Sequence, residues 1–300
     1  MGWFEVIIDN QQGRKVAEIL YNSFNTTGIF GKSKKDLPEN MIPKGIEKGS
    51  VEHILFLTLT VSIDYMRDAD QLWCSARKTY EDPNTNYLFV PKEVYKIKDS
   101  SMNKIKEDMK KHNLSKRSEK DAEIWVRLST TFYEKWEGDP YNLFKNLNWD
   151  AERIIEELRK FKYDYPYLSG FKIAPLWLRM LRDIAGLENL KNLEKIPIPV
   201  DVHIARASNF LGVIKNDDGS ILKEDELRKN YDNIRKAIRK AWFESVKGLN
   251  INDKEIIALD MDEPLWLLSR YGCSRIDKEN SKKLCSDCVV KDLCRKVKNY

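Results

Sequence analysis

The chain has 300 residues, 42% hydrophobic, 11% aromatic and 33% charged, with 8 Trp, 13 Tyr and 11 Phe. That much apolar material excludes global disorder and suffices for one large domain or two modest ones. The net charge of +5 sits where residues 265–300 place nine Lys and Arg against four acids. A basic end on a neutral body points to a polyanionic partner, the alternative being a solvated Lys-rich tail. The longest apolar stretches, such as Ile54 to Leu59, are too short to span a bilayer. The start Met1-Gly2-Trp3-Phe4-Glu5 lacks a signal peptide's basic opening and apolar run, so a cytoplasmic protein with no membrane partner is expected.

In chain order, Trp3 to Ile8 is the one convincing strand, and Asn25 to Gly49, rich in Gly, Lys and Pro, is a loop. His53 to Leu59 is apolar and leads into a polar stretch with Asp64, Asp68 and Asp70; a second loop covers Glu81 to Asn86. Ile124, Leu128, Phe132 and Trp136 recur at helical spacing, and Ala174, Leu178, Leu181 and Ala185 form another helical face that stops at Gly186. The run Ile196-Pro197-Ile198-Pro199-Val200 is extended, because each proline disfavours helix in the residue before it. It delivers the chain into Asp201 and a helix beginning near His203. After a loop at Asn216 to Ser220, Leu227, Tyr231, Ile234, Ile238 and Trp242 make a last long stripe. Without a set of alternating strands, the class is mainly α.

Four of the five cysteines crowd the basic end: Cys273, eleven residues, Cys285, two, Cys288, five, Cys294, with Cys74 alone upstream. Structural disulfides are rare in the cytosol, so the four thiols more readily share a metal or a cluster. Four thiolates suit tetrahedral zinc or a four-iron cluster; the single short knuckle and the missing histidine lean toward iron and sulfur. The run Arg270-Tyr271-Gly272-Cys273, followed by Cys285-Ser286-Asp287-Cys288 and ending Asp292-Leu293-Cys294, resembles the cluster loop of the endonuclease three branch of the helix-hairpin-helix DNA glycosylases. Only the first gap is longer here, and its extra residues include Lys278, Lys282 and Lys283. The resemblance implies a four-iron, four-sulfur (4Fe-4S) cluster held by Cys273, Cys285, Cys288 and Cys294, shaping a basic loop against DNA.

Two upstream segments follow the order of that family. Leu168-Ser169-Gly170-Phe171-Lys172-Ile173-Ala174 resembles the end of the hairpin, where Gly, Lys and Ala alternate into the next helix. Pro199-Val200-Asp201-Val202-His203 is similar to the Val-Asp-x-His segment, closest in wording to the 8-oxoguanine branch. Breaking a glycosidic bond leaves an oxocarbenium-like sugar that a carboxylate stabilises, and a neutral lysine attacking C1′ forms a Schiff base that permits strand cleavage. By resemblance Asp201 is that carboxylate and Lys172 that nucleophile. On residues alone, Asp201 could also be a helix N-cap, which does not exclude catalysis, and Lys172 is more often a solvated helix-start lysine. The hairpin departs from the family's Leu-Pro-Gly-x-Gly, reading Pro166-Tyr167-Leu168-Ser169-Gly170, so its turn must differ. In the turn after the His53 helix, Ile63 or Tyr65 would fill the stack vacated by an extruded base, with Ile63 equally a core residue. Tyr65, Trp73, Trp125, Trp177 and Trp242 could each stack on that base, although aromatics at helical spacing more often line a core.

The resemblance thus implies an all-α, two-lobed helix-hairpin-helix glycosylase fold with a C-terminal iron–sulfur loop. One lobe would run 53–186 and end in the hairpin. The second would combine 1–52 with 187–300 and carry the cluster loop at 265–300. The expected partner is double-stranded DNA bearing a lesion or mismatch, bound by a nucleoid-associated monomer through Ser169, Gly170, Lys282, Lys283 and Arg295. The expected activity is base excision with lyase cleavage. Alternatives are a monofunctional glycosylase and a non-catalytic iron–sulfur protein that binds nucleic acid.

Overall fold

Asp9 accepts a hydrogen bond from the Gln12 N–H at 2.9 Å and so caps α1 (Asn10–Thr26), whose Val16, Ala17, Leu20 and Phe24 lie on one buried stripe. The computed structural model to which this helix belongs describes residues 6–229, 231–275 and 281–296, without the side chains of 228, 229, 281 and 282. The chain divides into two compact units, Leu37–Lys195 and the combination of Met1–Asp36 with Ile196–Tyr300.

In the first of these, Ser50 caps α2 (Val51–Ser62) by accepting from the His53 N–H at 3.1 Å, and every residue from His53 to Ser62 is buried. A helix that is apolar all round belongs at the centre of a core. Around it the chain lays down α3 (Ala69–Glu81), α4 (Pro91–Ile97), α5 (Met102–Lys111), α6 (Ser118–Trp136), α7 (Pro140–Asn146), α8 (Ala151–Lys160) and α9 (Ile173–Asp183). α3, α6, α7 and α9 touch α2 directly, while α4 and α5 pack on α6, and α8 on α9. The predicted stripes are in place, with Ile124, Leu128 and Phe132 of α6 and Ala174, Leu178 and Leu181 of α9 all buried.

This unit begins before His53 and extends past Gly186, and packing explains both margins. Glu39 is buried and pairs with the buried Arg179 of α9 at 2.5 Å, which draws the 37–52 segment into this core. At the other margin, Lys191 N–H donates to the Trp149 carbonyl at 2.8 Å, and the Asn192 amide to the Asp150 carboxylate at 2.8 Å. The stretch Leu187 to Lys195 is therefore fastened at the start of α8.

The other unit holds α1 with α10 (Val202–Phe210), α11 (Glu224–Lys229), α12 (Tyr231–Val246), α13 (Asp262–Tyr271) and α14 (Ser281–Ser286). α1 packs on α12, and α10 lies against both α12 and α13. Ile196, Ile198 and Val200 alternate inward along the extended proline run. Of the predicted first strand, Ile7 and Ile8 form β1 (Ile7–Ile8), antiparallel to β2 (Ile214–Lys215); Trp3, Phe4 and Glu5 lie outside the described residues. A hairpin the sequence reading did not anticipate joins β3 (Asn250–Ile251) to β4 (Lys254–Glu255). Its turn residues Asn252 and Asp253 have φ of 50° and 60°, as the tight hairpin turn requires.

Of the five aromatic candidates for stacking on a flipped base, four are core residues. Trp73, Trp125, Trp177 and Trp242 are at most 2% exposed. Three satisfy their indole N–H inside: Trp125 on the Leu88 carbonyl, Trp177 on the Thr58 hydroxyl and Trp242 on the Ser208 hydroxyl. Helical spacing marks a buried stripe, and these rings fill it.

His53 gives this core a pH dependence. Burial, helped by the nearby Lys48 charge, lowers its pKa from 6.5 to about 4. Its Nδ1 accepts from the Gly49 N–H at 3.1 Å, a bond the imidazolium cannot make. The folded state thus takes up this proton less readily than the unfolded chain, so its contribution is full above pH 6.5 and lost as pH falls toward 4. The loss is expected to be on the order of 3 kcal/mol. Urea unfolding across that range should show a wild-type slope that is absent in His53→Asn.

Candidate active site

The sequence after α2 cannot continue the helix: Ile63 closes into the core at 1% exposure, and the chain turns outward through Asp64, Tyr65 and Met66. Ile63 is therefore a core residue and cannot enter a DNA stack. Tyr65 is 47% exposed and Met66 86%, with Met66 at φ 51° on the tip of the turn. The Arg117 guanidinium lies 4.8 Å from the Tyr65 ring centroid and 5.4 Å from that of Tyr167, and the two rings meet edge to face at 5.6 Å. Asp121, buried at the start of α6, orients Arg117 through bonds to Nε at 3.2 Å and Nη2 at 2.9 Å.

Tyr167 belongs to the hairpin, and this stack joins the two turns. Leu168, where the family pattern has its first glycine, is fully buried, and Tyr167 before it takes the left-handed conformation at φ 60°. The Ser169 and Gly170 N–H groups donate to the carbonyls of Tyr165 at 3.0 Å and Tyr167 at 2.9 Å. These two donors, expected to meet a DNA phosphate, close the turn on itself. Gly170 is required by close approach, since a Cβ there would stand 2.9 Å from the Tyr167 carbonyl oxygen. Phe171 is exposed beside it, with Arg159 4.4 Å above its ring.

Lys172 follows as the N-cap position of α9. Its ammonium donates to Asp64 Oδ2 at 2.9 Å, with both side chains largely enclosed, 26% and 14% exposed. Asp64 is a residue that the sequence reading named only in passing, as part of the turn. No local spacing rule connects it to a lysine 108 positions away.

Asp201 lies in the other unit, where its carboxylate accepts from the Ile204 N–H at 2.8 Å and caps α10. The extended proline run sets the entry angle, and the cap leaves the second carboxylate oxygen outside that bond. His203 contacts Ser269 Oγ at 3.2 Å and meets Trp266 edge to face, a packing role.

The C-terminal loop folds against the far end of α10. The Arg295 N–H donates to the Phe210 carbonyl at 2.8 Å, and Gln12 donates to the carbonyls of Leu211 and Leu293 at 2.8 and 2.9 Å. Arg295, an expected DNA contact, also reaches the Gly219 carbonyl at 2.6 Å and packs across Gly212. Lys283 is exposed; the side chain of Lys282 lies outside the described residues, as does Lys278. The thiols come together electrostatically. Burial raises the Cys273 pKa strongly, and the neighbouring Cys288, Cys294 and Cys285 add to it. Cys288 is pushed up to about 11 by burial first, then by Cys294 and Cys285, and Cys285 is raised by burial and Cys294. In donor type the four thiols match a thiolate-ligated group, and Cys273, Cys285, Cys288 and Cys294 are the residues that would hold one. Among the described residues, no three His, Cys, Asp or Glu side chains stand close enough for a single metal ion. Nor is any helix among them long and apolar enough to cross a membrane.

The family comparison meets this geometry over more than half of the chain. Residues 125–299 match the model of the AGOG family, described as N-glycosylase/DNA lyase, which takes in the hairpin, Lys172, Asp201 and all four clustered cysteines. No curated protein matches the sequence. The chain therefore belongs to the AGOG family of N-glycosylase/DNA lyases, within the helix-hairpin-helix DNA glycosylase superfamily.

Proposed function

We propose that the protein removes a damaged or mismatched base from double-stranded DNA and then cleaves the strand through a Schiff base at Lys172. The observation that carries this reading is the enclosed lysine itself. An ammonium held at 2.9 Å by a carboxylate, under a turn with Tyr65 and Met66 exposed, is unlike a solvated helix-start lysine. Once neutral, Lys172 attacks C1′, the base departs with a proton, and the resulting imine acidifies C2′ so that the 3′ phosphate can leave by elimination. Asp201 stabilises the positive charge that develops on the sugar. Tyr65 and Met66 offer the exposed surface that an extruded base leaves to be filled, and Lys283 offers a phosphate contact.

The four cysteines are proposed to hold a 4Fe-4S cluster, as the Cys-x2-Cys-x5-Cys spacing and the absence of a histidine among the grouped thiols favour. Such a cluster supplies a rigid thiolate-bound core and takes no part in the base-excision step. The residues around it do the positioning: Arg295 and Cys294 contact the Phe210 carbonyl at the C-terminal end of the helix that Asp201 begins. Protein purified without oxygen is expected to be brown, with about four iron and four sulfide per chain. Cys288→Ser should lose the visible absorption; zinc in place of iron would refute the cluster.

Borohydride trapping against duplexes with uracil, thymine glycol, 8-oxoguanine, an alkylated base or an abasic site tests the activity. A covalent adduct on one lesion names the substrate and the lyase step together. Base release without an adduct would make the enzyme monofunctional.

A further inference from the structure

The geometry points to Asp64 as the positioning residue of the lyase step: it holds the Lys172 ammonium in place and accepts its proton when the substrate arrives. This rests on the reading of Lys172 as the nucleophile. Lys172 Nζ lies 2.9 Å from Asp64 Oδ2, and the two come from separate turns, one after α2 and one at the end of the hairpin. The two turns are fastened together by the Tyr65, Arg117 and Tyr167 stack, so the pair is held by more than its own attraction. An ammonium has no lone pair, so a lysine bound in this way needs an acceptor before it can attack, and Asp64 is an acceptor already in contact.

The charges facing Asp64 are consistent with that role. Lys172 approaches from the hairpin and Arg67 from its own turn. Arg67 is anchored on the carbonyls of Leu114 at 2.7 Å and Asn113 at 3.2 Å, and shares the fields of Asp64, Asp121 and Arg117. Lys172 and Arg67 thus place two cations around Asp64, and Arg67 keeps its charge when Lys172 gives up its proton.

At an abasic site the step balances as follows. One proton passes from Lys172 Nζ to Asp64 Oδ2, leaving a neutral amine and a carboxylic acid. The amine adds to the C1′ aldehyde, forming the C–N bond, and a nitrogen proton moves to the oxygen. Asp64 returns its proton to that hydroxyl, which leaves as water when the C–O bond breaks, and the iminium keeps the positive charge.

The test is single-turnover trapping on an abasic duplex from about pH 6 to about pH 9, beside binding of the same duplex. Asp64→Asn is expected to bind the duplex as wild type does but to trap it ten- to a hundredfold more slowly near pH 7, the low end of a lost general base. Its rate should then climb steeply with pH as solvent base takes over, and Asp64→Glu should restore most of the wild-type rate and the flatter profile. An Asp64→Asn rate equal to or above wild type, with the same pH profile, would overturn the proposal. Lys172→Ala separates the two readings. If it still traps, the nucleophile lies elsewhere and both fail; if it does not trap while Asp64→Asn traps normally, only the role of Asp64 fails.

Discussion

Lys172→Ala is expected to abolish the borohydride-trapped adduct on every duplex in the panel, a loss of at least about a thousandfold in strand scission. The reason is chemical, because no other group replaces the C–N bond that makes the sugar eliminate. The fold should survive. Lys172 precedes α9 and lends it no side-chain cap, while the helix is held by Ile173, Ala174, Leu178 and Leu181 in the core. Removing the lysine leaves Asp64 without its ammonium partner in an enclosed place, so a modest drop in melting temperature is expected, but not unfolding. Lys172→Gln separates these effects, since an amide can still donate to Asp64 but cannot form an imine. Scission should be lost in both variants, with the melting temperature nearer wild type in Lys172→Gln. Adduct formation by either variant would show that another amine does the chemistry.

Asp201→Asn is expected to lower base release by a hundred- to a thousandfold, the scale of one lost stabiliser of transition-state charge. The choice of asparagine matters because Asp201 also caps α10 through the Ile204 N–H. Asparagine caps a helix about as well as aspartate, so Asp201→Asn should melt with the wild-type protein while losing activity. Asp201→Ala removes the cap as well and should cost a further ~1 kcal/mol of stability. If Asp201→Asn is fully active and only Asp201→Ala is impaired, the carboxylate is a cap and nothing more. The measurement is base release scored after alkali, which makes it independent of the lyase step.

How much of this was legible beforehand differs by kind of feature. The helices carrying Ile124, Leu128 and Phe132, or Ile234, Ile238 and Trp242, follow from a period of 3.6 residues meeting one apolar core, and the structure buries those residues. The extended proline run, and Asp201 as the first polar group after it, follow from local sterics and capping. The four-cysteine spacing is covalent and needs no fold to be seen. Exposure was less readable. A tryptophan at helical spacing looks the same whether it faces a core or a ligand, and only packing showed that Trp73, Trp125, Trp177 and Trp242 face cores. The hairpin between Asn250 and Glu255 escaped because each of its strands has only two residues, too few for a period to register.

The amino-acid sequence by itself determined the helical class, the order of hairpin lysine, aspartate and cysteines, and the basic C-terminal segment. Each of these depends on neighbours within a few turns of chain or on composition alone. Only the tertiary structure decided which groups meet. It paired Lys172 with Asp64, buried Glu39 against Arg179, set Arg117 between two tyrosines, and turned the Ser169 and Gly170 N–H groups inward. It also tied Arg295 to the carbonyls of Phe210 and Gly219. Apart from the Ser169 and Gly170 bonds, which close a local turn, these contacts span tens to hundreds of residues, and no local rule of spacing or propensity encodes them. They form because closing a core leaves each enclosed charge and backbone donor needing a partner, and the packing of the helices dictates which one is in reach.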